Sequence, residues 1–504
     1  MQTVKHVFKL LFGLLGVFVL CNISACKKNT FATDPASKLN FSQDSVLFDT
    51  VFTTIGSSTQ NIRVYNKNKK KIKISAIILE GGTTSPFIIN VDGAKGSSFS
   101  DIEIGPDDSL YIFIQVNVNP NNANSPLIIT DAIHFTLNGN EQKVILEAWG
   151  QDAYYHYAQD AVKFKDGTYF PYSYCDHLKK SFDPINGEIV WKNDKPHVIY
   201  GYCAVDSAVK LKIQAGTKIY LNYKAGLWVL QGGQIQVLGK LGNEVIFQGA
   251  RREKDYANDP GQWDRIWINE GSDDNIIDYA IIKNGYIGVQ AELFGDDTTL
   301  AKKRTLSITN TKIQNMSKWG LYGFYFRIYG ANNVISNCQE YSLNVLMGGE
   351  YYFLHCTFAN YWGTDSPRDK PAVSLNNYST QQTVPIWAYF GNCIIDGKLD
   401  NELAVDLKSA TNVTPSYTFS SCWMKTSVNT SNAAYFKDVV KGDKNAIINY
   451  KDVITYNFEP ASSETRLKNF ISAQAKSDAA LVKVDIAGKN RNLNNISVGA
   501  YEIQ

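Results

Sequence analysis

Between residues 38 and 152, short stretches of alternating apolar and polar residues follow one another. They include DSVLFDTVFT (44–53), NIRVYN (61–66), KIKISAIIL (71–79), SLYIFIQVNV (109–118), AIHFTL (132–137) and KVILEAWG (143–150). Side chains along a strand point to opposite faces in turn. A period of two in β-branched and aromatic residues, bounded by Gly, Pro, Asn and Asp, therefore predicts half-buried strands. About seven short strands in roughly 110 residues predict an antiparallel β-sandwich over 38–152.

The alternation lapses over 153–205, a stretch rich in Tyr, Asp, Lys and Pro that reads as a junction or cap. His156, His177 and His197 are scattered through it without HxH or HxxxH spacing, which predicts surface or capping residues rather than metal ligands.

From 206 the pattern resumes and begins to repeat. VKLKIQAGTKIYLN, GLWVLQGGQIQVLG and GNEVIFQG are alternating strands joined by glycine turns. YAIIKNG (279–285), TKIQNMS (311–317), NVISNC (333–338) and CTFANYW (356–362) then superpose, each with an apolar residue two positions before an asparagine. The pairs are Ile282 with Asn284, Ile313 with Asn315, Ile335 with Asn337, and Phe358 with Asn360. In NCIIDG (392–397) Ile395 is kept and Gly397 takes the asparagine position. The asparagines follow at 31, 22 and 23 residues, and a period a little above twenty with Asn or Gly at the corners predicts a parallel β-helix over 206–460. One coil cannot bury its inward side chains, so coils stack around a continuous apolar column. Asn284, Asn315, Asn337 and Asn360 are then expected to form a corner ladder of amides.

HCTFANYW (355–362) puts a histidine beside a cysteine and raises a thiol active site as one reading. In register, however, Cys356 shares the inward face of Phe358, in a column with Ala280, Thr311, Asn333 and Cys393. A reactive thiol needs an electropositive, accessible setting, so the stretch reads as a structural rung in which Asn333 needs a partner. Beyond 400 the repeat decays. TFSSCWMK (418–425) reads as one more rung, and 461–504 as a C-terminal cap and last coil. Leu467, Phe470, Ile471 and Ala475 at helical spacing predict a short helix closing the open end, where unpaired strand edges would otherwise be exposed.

The first 25 residues read as an export signal: Lys5 and Lys9, then the apolar run LLFGLLGVFVL, then Ile23-Ser24-Ala25-Cys26. That ending resembles the bacterial lipobox, which implies lipidation of Cys26, a membrane anchor through its acyl chains, and a linker over 26–37. Lys27 after the cysteine points within that resemblance to the outer membrane, on either its periplasmic or its surface side. A net charge of +2 gives no reason to expect nucleic acid as a partner, and the basic run KNKKKIK (67–73) reads as a solvated hairpin tip. Of eight cysteines, six lie beyond the signal and lipobox. None forms a CxxC, no metal is expected, and buried free thiols are the simplest reading, although export would permit disulfides whose pairing spacing alone leaves open.

Three stretches carry a family resemblance. IEIGPDDSLYIFIQVNVNP resembles the Ig-like domains that precede catalytic or repeat modules in secreted bacterial proteins. DPGQWDRIWINEGSDDNIIDYAIIKNGYIGV (259–289) resembles the coil signature of right-handed β-helix proteins, and DIAGKNRNLNNISVGAYE (485–502) resembles their closing motif. Together they resemble a Bacteroidetes-type lipoprotein with a pectin-lyase-like domain. The fold expected is all-β, with an N-terminal Ig-like β-sandwich followed by a right-handed parallel β-helix.

Such a fold implies a polysaccharide as one class of partner, and either of two chemistries could act on it. The Gly-His-Gly motif of polygalacturonase-like hydrolases is absent. A lyase needs carboxylates and a cationic base, with Ca²⁺ as a possible cofactor, and the candidates are Asp264, Arg265, Asp273, Asp274 and Lys283 near the long loop 249–264. Aspartates at turns also satisfy backbone groups locally, which is the structural alternative. A smaller cluster is Asp365, Arg368 and Asp369. Binding alone requires exposed aromatic rings. In WGLYGFYFRIYG (319–330), period two places Tyr322, Phe324, Phe326 and Ile328 on one face, expected inside, and Tyr325, Arg327 and Tyr329 on an outward row, to which Trp263 is added. The function expected is therefore an elongated surface for carbohydrate or cell-envelope partners, with a polysaccharide lyase or glycoside hydrolase as the alternative.

Overall fold

The computed structural model describes residues 30–53, 56–119, 127–175, 187–293, 304–363 and 366–503. The signal segment, Cys26, His177 and Asp365 lie outside the described residues, as does the side chain of Asp273. The chain divides into two units between Asp152 and Ala153.

The first unit is a β-sandwich of two five-stranded sheets. One runs Asn40–Phe41, Gln60–Tyr65, Ser109–Val116, Phe87–Val91, Ala94–Gly96, with antiparallel neighbours throughout. The other runs Ser45–Phe52, Asn140–Gln151, Leu127–Leu137, Ile72–Leu79, Ser98–Ile104. The alternating residues meet between them: Ile62, Val64, Ile112 and Ile114 from one sheet pack on Ile74, Phe135, Val144 and Leu146 from the other. The expectation of purely antiparallel pairing needs correction, because Ser45–Phe52 pairs parallel with Asn140–Gln151. Alternation tells a strand which face to bury but not which way its neighbour runs. The basic run is also not a hairpin tip. It joins Gln60–Tyr65 to Ile72–Leu79 in the opposite sheet, with Lys69 against Asp107 and Lys71 against Glu103.

The second unit is a right-handed parallel β-helix. A typical coil is Ile266–Asn269, Ser272–Asp278, Ala280–Lys283. It pairs in parallel with the next coil, Ile287–Glu292, Arg304–Thr309, Lys312–Gln314. Two strands of each coil enter an 18-stranded sheet and the third enters an 11-stranded sheet. Ile282, Ile313, Ile335, Phe358 and Ile395 are direct register partners, all fully buried. Each such side chain removed from water contributes roughly 1.5–3 kcal/mol, which is why the period is kept while loop lengths vary. The stretch 153–205, expected to be irregular, supplies the opening coil. Tyr154–Tyr157, Tyr169–Tyr174 and Glu188–Trp191 each pair in parallel with strands one coil on. His156 and His197 are accordingly buried rather than surface residues, their ring nitrogens 3.0 Å apart and both rings stacked on Trp191.

Corners follow the asparagine rule with one exception. Asn284, Asn315 and Asn337 adopt left-handed backbone (φ 62°, 58° and 51°); Asn315 donates to Asn284 and Asn337 to Asn315, both at 2.9 Å, and Asn284 donates to the Ala257 carbonyl. Asn360 is not the fourth member. The strand Thr357–Asn360 continues through it to pair with Gly397, so its side chain instead accepts from the Cys338 amide at 3.1 Å and donates to the Glu340 carbonyl. A second corner column was not anticipated: Asn310, Asn332, His355, Asn392 and Ser421 all have φ near +50°. Asn332 donates to Asn310, and Asn392 is bonded to His355 Nε2, both at 3.0 Å. His355 thus stands in for a corner amide.

The cysteine column is structural. The amides of Cys356 and Cys393 donate to the sulfurs of Cys393 and Cys422 at 3.4 and 3.3 Å. Asn333 finds its partners in the Thr311 amide (3.0 Å) and the Ile308 carbonyl (2.7 Å). The C-terminal segment straps the outer surface of the 11-stranded sheet, where Phe458, Ile486 and Tyr501 pack on Val334 and Ala359. Asp485 of the closing motif accepts the amides of Ala487, Lys489 and Glu502, and Arg491 donates to Asn332. Among the described residues, the one α-helix begins later than the spacing suggested, at Ala473–Leu481, capped by Ser472. It lies along the flank, bonded to Tyr389 and Asn392, and not over the open end. Leu467 and Phe470 are buried ahead of it, whereas Ile471 is exposed.

Candidate functional site

Asp264 and Arg265 sit immediately before Ile266–Asn269, at the end of the long loop. The loop is anchored by Gln262, whose amide donates to the carbonyls of Tyr256 and Asp259, and by Trp263. Trp263 is 1% exposed, its indole donates to the Lys283 carbonyl at 2.8 Å, and its ring lies where a Cβ on Gly285 would be. Trp263 is therefore a core residue and not an exposed binding ring. Its burial fixes the backbone from which Asp264 turns outward.

Asp264 accepts the Tyr202 phenol on one oxygen and Arg265 Nε on the other at 2.9 Å. Arg265 Nη1 donates to Gln290 Oε1 at 2.5 Å, Gln290 Nε2 to Glu292 at 2.8 Å, and the Trp267 indole to the other Glu292 oxygen at 2.5 Å. Register explains the assembly: Trp267 lies beside Gln290 and Asn269 beside Glu292 on adjacent strands. Burial and the neighbouring Asp264 push the Tyr202 phenol up. Burial works to lower the Arg265 guanidinium, but Asp264 and Tyr202 outweigh it and the net shift is upward. Glu292 is raised by burial, opposed by the Gln290 and Trp267 hydrogen bonds and the Arg265 charge. Perturbed groups held in one cleft mark a candidate site, with buried ion-pair networks as the competing explanation.

Tyr202, Asp264 and Arg265 of this network line an open cleft of about 480 Å³, together with Phe170, Tyr223 and Tyr286 among others, and Gln290, Glu292 and Trp267 support Arg265 from behind it. Tyr169, Tyr223 and Tyr286 are 63%, 74% and 37% exposed at its rim. Phe164 and Phe170 of the hairpin formed by Asp160–Lys163 and Tyr169–Tyr174 close over the Trp228–Trp267 stack, whose rings are 4.9 Å apart. That hairpin walls one side of the cleft.

The other candidates do not join it. Asp274 adopts φ 56° at a register shift on a different face of the coil, its amide bonded to Thr305 and its carbonyl to Gln234. Asp273 shares that strand, so its backbone lies on the same face. Lys283 stands in the 11-stranded sheet beside Gln314, half-buried, and desolvation lowers its ammonium. Arg368 is a buried anchor, forked onto Glu402 at 2.5 and 2.8 Å and bonded to the Asn360 carbonyl. Among the described residues, no group of three His, Cys, Asp or Glu gathers as metal ligands would.

The expected outward row is only partly formed. Arg327 and Tyr329 face out and Phe326 and Ile328 face in, but Tyr325 is itself a corner residue with φ 47°. The alternation resets there, so Leu321 enters the core and Tyr322 stacks outside it on Trp319 at 4.6 Å. Arg327 forks onto Glu350 through Nε and Nη2, each at 2.8 Å. Tyr329 stacks on Tyr352, which also stacks on Trp387 and Tyr389. Rings packed face to face turn edges rather than faces to solvent, and a sugar needs the face.

Tyr202, Tyr223, Tyr286, Gln290 and Glu292 were missed. Superposing IWIN (266–269) on VQAE (289–292) one coil later would have found Gln290 and Glu292. The tyrosines come from segments that only stacking brings together.

No protein-family model matches this chain, and no curated protein matches it. Among solved structures, the chain resembles a family 123 glycoside hydrolase from Clostridium perfringens at 9% identity, over 23% of this chain and 26% of that one (TM-score 0.17). It thus spans about a quarter of that enzyme's length. A PapD-like domain of human CEP192 is similar at 11% identity over 25% of this chain and 92% of that one (TM-score 0.16). The catalytic unit of a GH87 α-1,3-glucanase from Streptomyces thermodiastaticus is similar at 10% identity over 77% and 89% (TM-score 0.25). Identities and scores of this size bear on neither activity nor ligand.

Proposed function

We propose that the second unit binds a carbohydrate in the cleft above Asp264 and Arg265. The observation that carries this reading is the combination of a hydrogen-bonded polar floor of Tyr202, Asp264 and Arg265 with three exposed tyrosines at its rim. Sugars present CH faces to aromatic rings and hydroxyls to paired polar groups, and this cleft offers both. The signal and Cys26 are read as export and lipid anchoring at the outer membrane, and the sandwich as an Ig-like spacer or docking module. A panel of neutral and uronate oligosaccharides titrated by calorimetry tests the reading, with Tyr286→Ala as control. Binding unaffected by that substitution would remove the cleft from consideration.

One observation favours a second reading, in which the cleft cleaves the glycan. Asp264 is bonded to Arg265, and the Arg265 charge also acts on Glu292, so two carboxylates share one guanidinium across neighbouring coils. Paired carboxylates serve hydrolysis, and a phenol beside a guanidinium serves proton transfer at a uronate. Unsaturated product followed in the ultraviolet, with and without Ca²⁺, and new reducing ends separate lyase, hydrolase and plain binder.

A further inference from the structure

We propose that Cys175 and Cys203 are joined by a disulfide that staples the opening coil of the β-helix. Cys203 lies in Tyr202–Val205, and Cys175 directly follows Tyr169–Tyr174 on the neighbouring strand, where its amide donates to the Ala204 carbonyl at 2.9 Å. Their sulfurs are 2.6 Å apart and both residues are fully buried. Two unbonded sulfurs do not sit that close, and a small adjustment reaches the bonded length of about 2.05 Å.

The other four cysteines behave differently. Cys356, Cys393 and Cys422 stack in register, but each sulfur points to a backbone carbonyl, and those of Cys393 and Cys422 also accept an amide. Cys338 likewise donates to the Ser336 carbonyl. Their hydrogen bonds are spoken for within the coil, whereas Cys175 and Cys203 face each other. The position also suits a staple. An end coil has a neighbour on one side only, so end repeats need extra fixing, and the bond would close a separation of 28 residues in the unfolded chain.

The chemistry is ordinary exchange with a low-molecular-weight disulfide. One cysteine thiolate attacks it, forming a mixed disulfide and releasing one small thiol. The second cysteine then attacks the mixed disulfide and releases the other. Two protons leave the cysteines, and the oxidant is reduced to two thiols. Burial pushes the Cys175 thiol up, so exchange occurs before the coil closes.

The test uses the full chain produced in an oxidising bacterial cytoplasm, unfolded without reductant, alkylated and mapped by mass spectrometry. Cys338, Cys356, Cys393 and Cys422 should be alkylated, while Cys175 and Cys203 appear as one linked peptide pair lighter by two hydrogens. Prior reduction should render Cys175 and Cys203 alkylatable as well, and Cys203→Ser should release Cys175. Alkylation of both residues without reductant overturns the proposal, as does either one found bonded to a different cysteine.

Discussion

The Tyr202 phenol donates to Asp264 from two coils away, across the intervening Gly226, whose absent side chain leaves room for the ring. A Cβ on Gly226 would sit 2.5 Å from the Tyr202 ring. The floor of the cleft therefore depends on a glycine that has no side chain to contribute to it. The same Cβ would meet the Arg265 carbonyl at 2.7 Å, so Gly226→Ala should displace Tyr202, shift the backbone that carries Arg265 and weaken carbohydrate binding, which calorimetry and a crystal structure of the variant would show together.

Asp264 and Arg265 are both mostly shielded, with side chains 16% and 19% exposed. Removing Asp264 takes away the direct ion-pair partner of Arg265 but leaves it Gln290 and the charge of Glu292. Asp264→Ala is expected to cost about 1.5–3 kcal/mol, less than the loss of a lone buried partner because Glu292 and some solvent still reach the guanidinium. Denaturant unfolding measures it, and a loss below about 1 kcal/mol would show the pair to be solvated in practice.

Tyr286 separates function from stability. It is exposed at the rim, so Tyr286→Ala should alter unfolding free energy by no more than about 0.5 kcal/mol. Loss of one stacking face should still weaken glycan binding roughly five- to tenfold, corresponding to about 1–1.5 kcal/mol.

The Asn284–Asn315–Asn337 ladder makes a different prediction for each end of the repeat. Asn315→Leu removes an amide that both donates and accepts and puts a branched residue at φ 58°. The combined cost should be about 2–4 kcal/mol. Asn360→Ala loses only capping bonds and carries no left-handed strain, so it should cost about 1–2 kcal/mol. Equal losses at the two positions would contradict the assignment of Asn360 as a cap.

These cases show what the pattern of residues conveys. Ile282, Ile313, Ile335 and Phe358 were legible because one force, burial in a shared column, acts on every coil at the same phase. Tyr322 and Phe324 were misplaced because a non-glycine corner at Tyr325 resets the phase, and nothing in the alternation marks it. Asn360 looked like Asn337 because residue type reports a capacity for left-handed backbone and not its use. The cleft was half visible: Asp264 and Arg265 stand together in the chain, but Tyr202, Tyr286 and Gln290 reach them only through stacking. Asp273, Asp274 and Lys283 were near in sequence and lie on other faces, since successive strands of a coil point in different directions.

Asp396 ties the C-terminal strap to the stack and makes stability depend on pH. It accepts the Tyr361 phenol at 2.6 Å and the Tyr450 phenol, from the strap, at 2.9 Å. Burial raises its carboxyl from 3.8 to about 6, and the two tyrosine hydrogen bonds limit the rise. Between those values the folded chain holds a proton that the unfolded chain has shed, so stability falls as pH rises through this window and levels off above it. About two units correspond to roughly 3 kcal/mol, the largest effect this group could exert. Asp396→Asn cannot titrate, so its stability relative to the parent should rise by up to that amount between pH 4 and pH 7. Chemical unfolding of both proteins across that range measures the difference directly. A difference that stays constant with pH would show that Asp396 remains charged beneath the strap.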